Sequence, residues 1–135
     1  LPVLVKLLER IPDLTIVIDH LGKPGIPGKE IEHWVQWMEA AAGFERVFCK
    51  LSGLATGTGG VRWHPADWVP YARHAARVFG PERLMFGSDW PVCLQAGSFG
   101  EMLDAARAAL PDLKPSHIEA VFGGNAAGVY RLPVK

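Results

Sequence analysis

The chain has 135 residues, 49% of them hydrophobic, with 14 basic and 14 acidic side chains and a formal net charge of zero. That length and apolar content suit one folded domain with a buried core, and they exclude disorder, which needs low hydrophobicity and high net charge. The balanced charge lacks the basic excess that nucleic-acid binding draws on, and no apolar run reaches the roughly 18 residues of a membrane span.

In chain order, Leu4, Leu7, Leu8 and Ile11 recur at helical spacing and predict an amphipathic first helix. After Pro12-Asp13 the apolar, β-branched run from Thr15 to His20 reads as a strand covered on both faces, as in a parallel sheet. A loop rich in glycine and proline, Gly22 to Gly28, leads to a second helix marked by Ile31, Trp34, Val35 and Met38 and ending near Gly43. The next strand, Val47 to Ser52, alternates, with Val47, Cys49 and Leu51 on one face and Phe48, Lys50 and Ser52 on the other. A long loop from Gly53 to Pro65 precedes a helix carrying Trp68, Ala72, Ala75 and Phe79, and Gly80-Pro81 announces a third strand, Leu84 to Asp89. Ser98 with Glu101, and Ser116 with Glu119, have the spacing of capping boxes, and Asn125 is placed to cap a last helix running through Tyr130. Strands alternating with helices predict right-handed βαβ units on a parallel sheet, either a small doubly wound sheet or a sector of a barrel.

Each strand ends in polar residues: Asp19-His20, then Lys50 and Ser52, then Ser88-Asp89. In parallel α/β folds that edge is where ligands bind, because its loops face a common cavity. The parity of the second strand sharpens this, since Lys50 on the helix-covered face would be buried without a partner. Lys50 is therefore expected to face the cavity. The plainer readings stand beside this one: a strand-end Asp commonly caps the following turn, a single His is often structural, and a Lys can extend to solvent.

Of the other histidines, His33, His74 and His117 fall on helices among polar neighbours and are expected at the surface, while His64 lies in the long loop with Arg62 and Trp63. Trp90 follows Asp89 directly, where an aromatic ring can wall a pocket. The phosphate-binding loop, the dinucleotide fingerprint, the Cys-x-x-Cys, His-x-His and His-Glu-x-x-His motifs and the nucleophile elbow are absent from the sequence. Cys49 and Cys93, in apolar runs, fit reduced thiols, so the cytoplasm is the expected compartment.

Three segments, Asp19-His20-Leu21-Gly22-Lys23-Pro24, Cys49-Lys50-Leu51-Ser52-Gly53-Leu54 and the run from Arg83 to Val92, resemble in order and spacing the amidohydrolase superfamily. The closing Gly124-Asn125-Ala126-Ala127 with Tyr130-Arg131-Leu132 does so too, and the likeness is nearest to its L-fuconolactonase and sugar-lactone lactonase branch. The resemblance implies an α/β fold, the C-terminal portion of a TIM-type (β/α)8 barrel, with about three parallel strands alternating with helices. Residues 1–135 then form a partial barrel domain, and the His-x-His strand that opens the family's barrel has no counterpart here. Three strands cannot close a barrel of eight, so a longer parent protein, a truncated product or a partial sequence is expected.

By the same likeness Asp89 matches the general base for the attacking water, and His20 matches a histidine that contacts either a divalent metal or the substrate carbonyl. Lys50, Lys23, Ser52 and Trp90 are candidates for substrate binding. His20 and Asp89 would be the metal ligands if one divalent ion, such as zinc, is bound, and metal-independent chemistry stays open beside it. The implied partner is a small molecule, a sugar lactone or related carboxylate, with homo-oligomerisation open. The implied activity is hydrolytic opening of a sugar-acid lactone, with amide hydrolysis or non-oxidative decarboxylation on the same scaffold, or a non-catalytic truncated fragment, as alternatives.

Overall fold

Three short runs rich in β-branched and large apolar residues pair as parallel strands in the order β1-β2-β3: β1 (Ile16–Ile18), β2 (Val47–Leu51) and β3 (Leu84–Phe86). The computed structural model describes residues 2–25, 31–58 and 62–133. Part of the loop read from Gly22 to Gly28, and part of that from Gly53 to Pro65, therefore lies outside the described residues. Helices alternate with the strands as expected: α1 (Pro2–Arg10), α2 (Ile31–Ala42), α3 (Val69–Phe79) and α4 (Phe99–Ala109), followed by α5 (Pro115–Glu119) and α6 (Asn125–Tyr130). No helix among the described residues is long and apolar enough to cross a membrane.

The register decides what each face carries. Ile18 pairs with Cys49 and Cys49 with Leu84, and all three are buried on the face the helices cover. Lys50 pairs with Met85 on the opposite face, where Val17 pairs with Phe48. One residue beyond β1, Asp19 falls on the Lys50 side, because side chains alternate along a strand.

The helices supply the other half of the core. Trp34, Met38 and Ala41 of α2, Ala72, Ala75 and Phe79 of α3, and Met102, Ala105, Ala106 and Ala109 of α4 are buried at the i, i+3, i+4 spacing of one helical stripe. Both cysteines are free and buried, and burial pushes the Cys49 thiol far up, with the Asp19 charge adding to it.

Caps divide into those the spacing foretold and those it did not. The Ser98–Glu101 box forms, with Glu101 Oε2 accepting from Ser98 N–H at 2.7 Å and Ser98 Oγ accepting from Glu101 N–H at 3.2 Å. Ser116 and Glu119 make no box, because Pro115 takes the first helical position and moves the cap upstream to Lys114. Asn125 is not a cap either. The chain arrives at it already helical, through a π turn over Ala120–Gly124, and its side-chain amide donates instead to the carbonyls of Pro81 at 2.7 Å and Leu84 at 2.6 Å. Arg83 does similar work beside it, its guanidinium donating to the carbonyls of Ala42 at 3.0 Å, Phe44 at 2.8 Å and Phe79 at 3.0 Å.

His74, expected at the surface, has a side chain only 9% exposed, with its ring 5.2 Å from that of Trp34. Its place on α3, one turn from the buried Tyr71, turns it towards Trp34 and Glu39 of α2. Burial, helped by the charge of Arg77, lowers its pKa.

Candidate active site

The C-terminal edge of the sheet is where the backbone departs from regular geometry. His20, Leu21, Lys23 and Asp89 all have positive φ, between 52° and 61°, and account for four of the five such non-glycine residues among those described. A residue with a Cβ adopts that region at a cost of order 1–3 kcal/mol, which the surrounding structure must offset. Here the surroundings are specific. Lys23 N–H donates to the His20 carbonyl at 2.8 Å, and the buried indole of Trp34 donates to the Leu21 carbonyl at 2.7 Å. Trp34, which marks the apolar stripe of the second helix in the sequence, thus also uses its polar handle to hold the turn that carries His20.

That turn swings the His20 imidazole across the ends of β2 and β3. Its Nδ1 lies 2.8 Å from Ser52 Oγ, and its Nε2 lies 3.7 Å from Asp89 Oδ1 and 3.9 Å from Asp19 Oδ2. The His20 and Asp89 side chains are 23% and 16% exposed, sheltered but reachable. Thr56, in a short turn after β2, reaches the other Asp89 oxygen at 3.4 Å. Lys50 Nζ sits 2.9 Å from Asp19 Oδ1, so the cavity-facing orientation read from strand parity is the one observed.

Burial alone would disfavour both charges of this pair, but the hydrogen bond and mutual attraction of Asp19 and Lys50 outweigh it. His20 assists at Asp19 and Tyr130 at Lys50. The Asp19 carboxyl is held below its ordinary range and the Lys50 ammonium above its own.

Two glycines make the crowding possible. A Cβ on Gly53, whose φ is 66°, would stand 2.6 Å from His20 Nδ1 and 2.7 Å from its Cγ. A Cβ on Gly87 would stand 3.0 Å from Lys50 Cδ and 3.3 Å from Ser52 Cβ. Sequence reasoning named Asp19 at the polar end of the first strand without giving it a role, and it passed over Gly53, Thr56 and Gly87 as members of the site. The parity that turned Lys50 inward also applied to Asp19, and a glycine directly after the polar end of β2 was the available sign of a close approach.

The remaining candidates are spread more widely. Ser52 is wholly buried behind His20, with its hydroxyl on the ring, so the substrate-facing place expected for it is not where it lies. Lys23 is exposed and, with Gly53, Leu54 and Thr56, lines a cavity of about 280 Å³ beside the His20–Asp89 pair. Trp90 stands 66% exposed, its backbone N–H donating to Ser88 Oγ. His64 caps the turn Pro65–Trp68, its ring accepting from Ala66 N–H, and lines a larger cavity of about 680 Å³ that contains none of the strand-end residues.

Among the described residues no three histidine, cysteine or carboxylate side chains are grouped to hold a metal ion. His20 and Asp89 offer two donors, and Lys50 already engages the Asp19 carboxylate. A protein metal site takes about three ligands, so the residues described do not by themselves fit one.

The chain is similar to two curated L-fucono-1,5-lactonases. It is 41% identical to that of Burkholderia ambifaria over 98% of this chain and 47% of the relative, and 38% identical to that of Burkholderia multivorans over 87% and 43%. The chain therefore spans about half the length of the curated relatives it matches. Among solved structures it superimposes on an amidohydrolase of Burkholderia multivorans with bound zinc, with a TM-score of 0.89 and 34% identity, covering 98% of this chain and 49% of that one. A Pseudomonas putida protein described as a candidate 2-pyrone-4,6-dicarboxylic acid hydrolase aligns over all of this chain and 49% of its own, with a TM-score of 0.75 and 27% identity. The three strands and their helices are thus part of a TIM-type barrel, and the expected α/β class holds. The amidohydrolase family profile matches residues 1–132, and the chain belongs to that family.

Proposed function

We propose that this chain carries part of the active site of a hydrolase that opens a sugar-acid lactone, with Asp89 as general base. The observation that supports it best is the convergence of Asp89 and His20, 3.7 Å apart, from the ends of different strands around a sheltered space. The names of the relatives point the same way, since a sugar lactone and a 2-pyrone are both cyclic esters.

In this reading Asp89 accepts a proton from water as the water oxygen bonds to the ring carbonyl carbon. The carbonyl oxygen gains the electron pair and its charge is met by the His20 N–H, as in any site that aims donors at developing charge. Collapse of the tetrahedral intermediate breaks the bond to the ring oxygen. Asp89 returns its proton to that oxygen, and a hydroxy acid leaves. Lys23, which lines the adjoining cavity, and Lys50, which pairs with Asp19, would meet carboxylate or hydroxyl groups of a polar substrate. Trp90, next to Asp89 in the chain and 66% exposed, would offer its ring to the substrate.

The test is Asp89→Asn assayed against L-fuconolactone in the protein with its barrel complete. Loss of a general base lowers turnover by about 10²–10⁴-fold. Turnover within threefold of wild type would remove Asp89 from this role, and activity confined to amides would replace the lactone reading.

A further inference from the structure

We propose that Ser52 is a positioning residue that fixes the tautomer of His20, keeping the neutral ring's proton on Nε2. His20 then presents an N–H donor to the site, not a metal-binding lone pair. The inference rests on the proposed function only for what that N–H does. The tautomer itself follows from hydrogen-bond accounting.

Ser52 is the one wholly buried polar side chain among the described residues, and the partner of its hydroxyl is His20 Nδ1 at 2.8 Å. A serine hydroxyl has one proton to give, and a buried donor left unpaired is expensive. If Nδ1 carried the ring proton it would donate to Ser52 Oγ, and the hydroxyl's own proton would then need a second acceptor. Among the described residues His20 Nδ1 is the acceptor within reach. The hydroxyl therefore donates into the Nδ1 lone pair, and the single proton of a neutral imidazole is left on Nε2.

The other side of the ring agrees independently. The groups that face Nε2 are both acceptors, Asp89 Oδ1 at 3.7 Å and Asp19 Oδ2 at 3.9 Å, which suit an N–H and repel a lone pair. Gly53 lies close to the Nδ1 side of the ring, where a Cβ would approach Nδ1 to 2.6 Å. The ring is clamped with its Nδ1 edge inward and its Nε2 edge towards the cavity.

The protein labelled with ¹⁵N-histidine and held at pH 8.5, where an imidazole is ordinarily neutral, gives the direct measurement. Long-range proton–nitrogen spectra show which ring nitrogen bears the proton. The expected result is a bare Nδ1 and a protonated Nε2 at His20. A protonated Nδ1 overturns the proposal without any variant being made. In Ser52→Ala the preference for the Nε2-protonated form should fall about fivefold, the equivalent of one ordinary hydrogen bond, and Ser52→Thr, which keeps the hydroxyl, should retain it. An unchanged tautomer in Ser52→Ala overturns the role of Ser52. If Ser52→Ala does not fold, Ser52→Cys, with a weaker donor of similar size, replaces it, with a fall expected and an unchanged tautomer again overturning the role. Failure of every lactone to be hydrolysed would instead sink the proposed function and leave the tautomer to be judged by the spectra.

Discussion

At the N-terminal end of the sheet the side chains of Arg83 and Asn125 donate to six backbone carbonyls, at distances from 2.6 to 3.5 Å, and no residue within β1, β2 or β3 has positive φ. At the C-terminal end four non-glycine residues hold positive φ, an ion pair sits half in solvent, and one imidazole is wedged between a buried hydroxyl and two carboxylates. The same strands run through both ends, so the difference lies in what each edge is asked to do. One end satisfies backbone groups at low strain, and the other accepts strain to aim side chains, the division of labour expected of a barrel's two faces.

The contrast can be broken most forcefully at Gly53. Gly53→Ala puts a Cβ into the His20 ring at a position already at φ 66°, and it should destabilise the fold by about 3 kcal/mol. It should also displace the His20 resonances. An unchanged urea midpoint with unmoved resonances would show that the ring has room the geometry denies it.

Asn125→Ala probes the opposite end. It strips the donor from two carbonyls 41 and 44 residues away in sequence and should cost about 1–2 kcal/mol in urea unfolding. The His20 ring signals should stay where they are. Movement of those signals would mean that the two ends are mechanically coupled and the comparison is too simple.

The smallest effect belongs to Asp19→Asn. With 58% of its side chain exposed, Asp19 contributes less than about 1 kcal/mol through Lys50 at neutral pH. Because its folded pKa lies below the unfolded value of 3.8, that contribution is complete well above pH 3.8 and is lost as pH falls through the folded value. On the alkaline side, Lys50, raised above 10.5, keeps its share until pH passes its folded value. Wild type and variant should therefore converge in acid. A stability gap that persists at pH 2 would point to a packing role.

Much of the C-terminal edge was legible before any coordinates. Strand order, the polar strand ends and the inward Lys50 follow from periodicity and from the cost of burying an unpaired ammonium. The strands were read too long at their polar ends, where the chain has already turned left-handed: β1 stops at Ile18 and β3 at Phe86, while His20 has φ 52° and Asp89 φ 61°. Nothing in local propensity announces a non-glycine residue in that region. Ser52, Asn125 and His74 escaped for a related reason, since each takes its meaning from a partner on another element. Ser98 and Glu101 were read correctly because both halves of their box lie within one turn of the chain.

Trp34 has a consequence outside catalysis. Its indole N–H ties α2 to the turn bearing His20, so a rotation of that helix would tug on the imidazole from the outside of the molecule. The same proton is also a sentinel. Its exchange with solvent deuterium would time how often the turn lets go, giving the site a clock that needs neither substrate nor turnover.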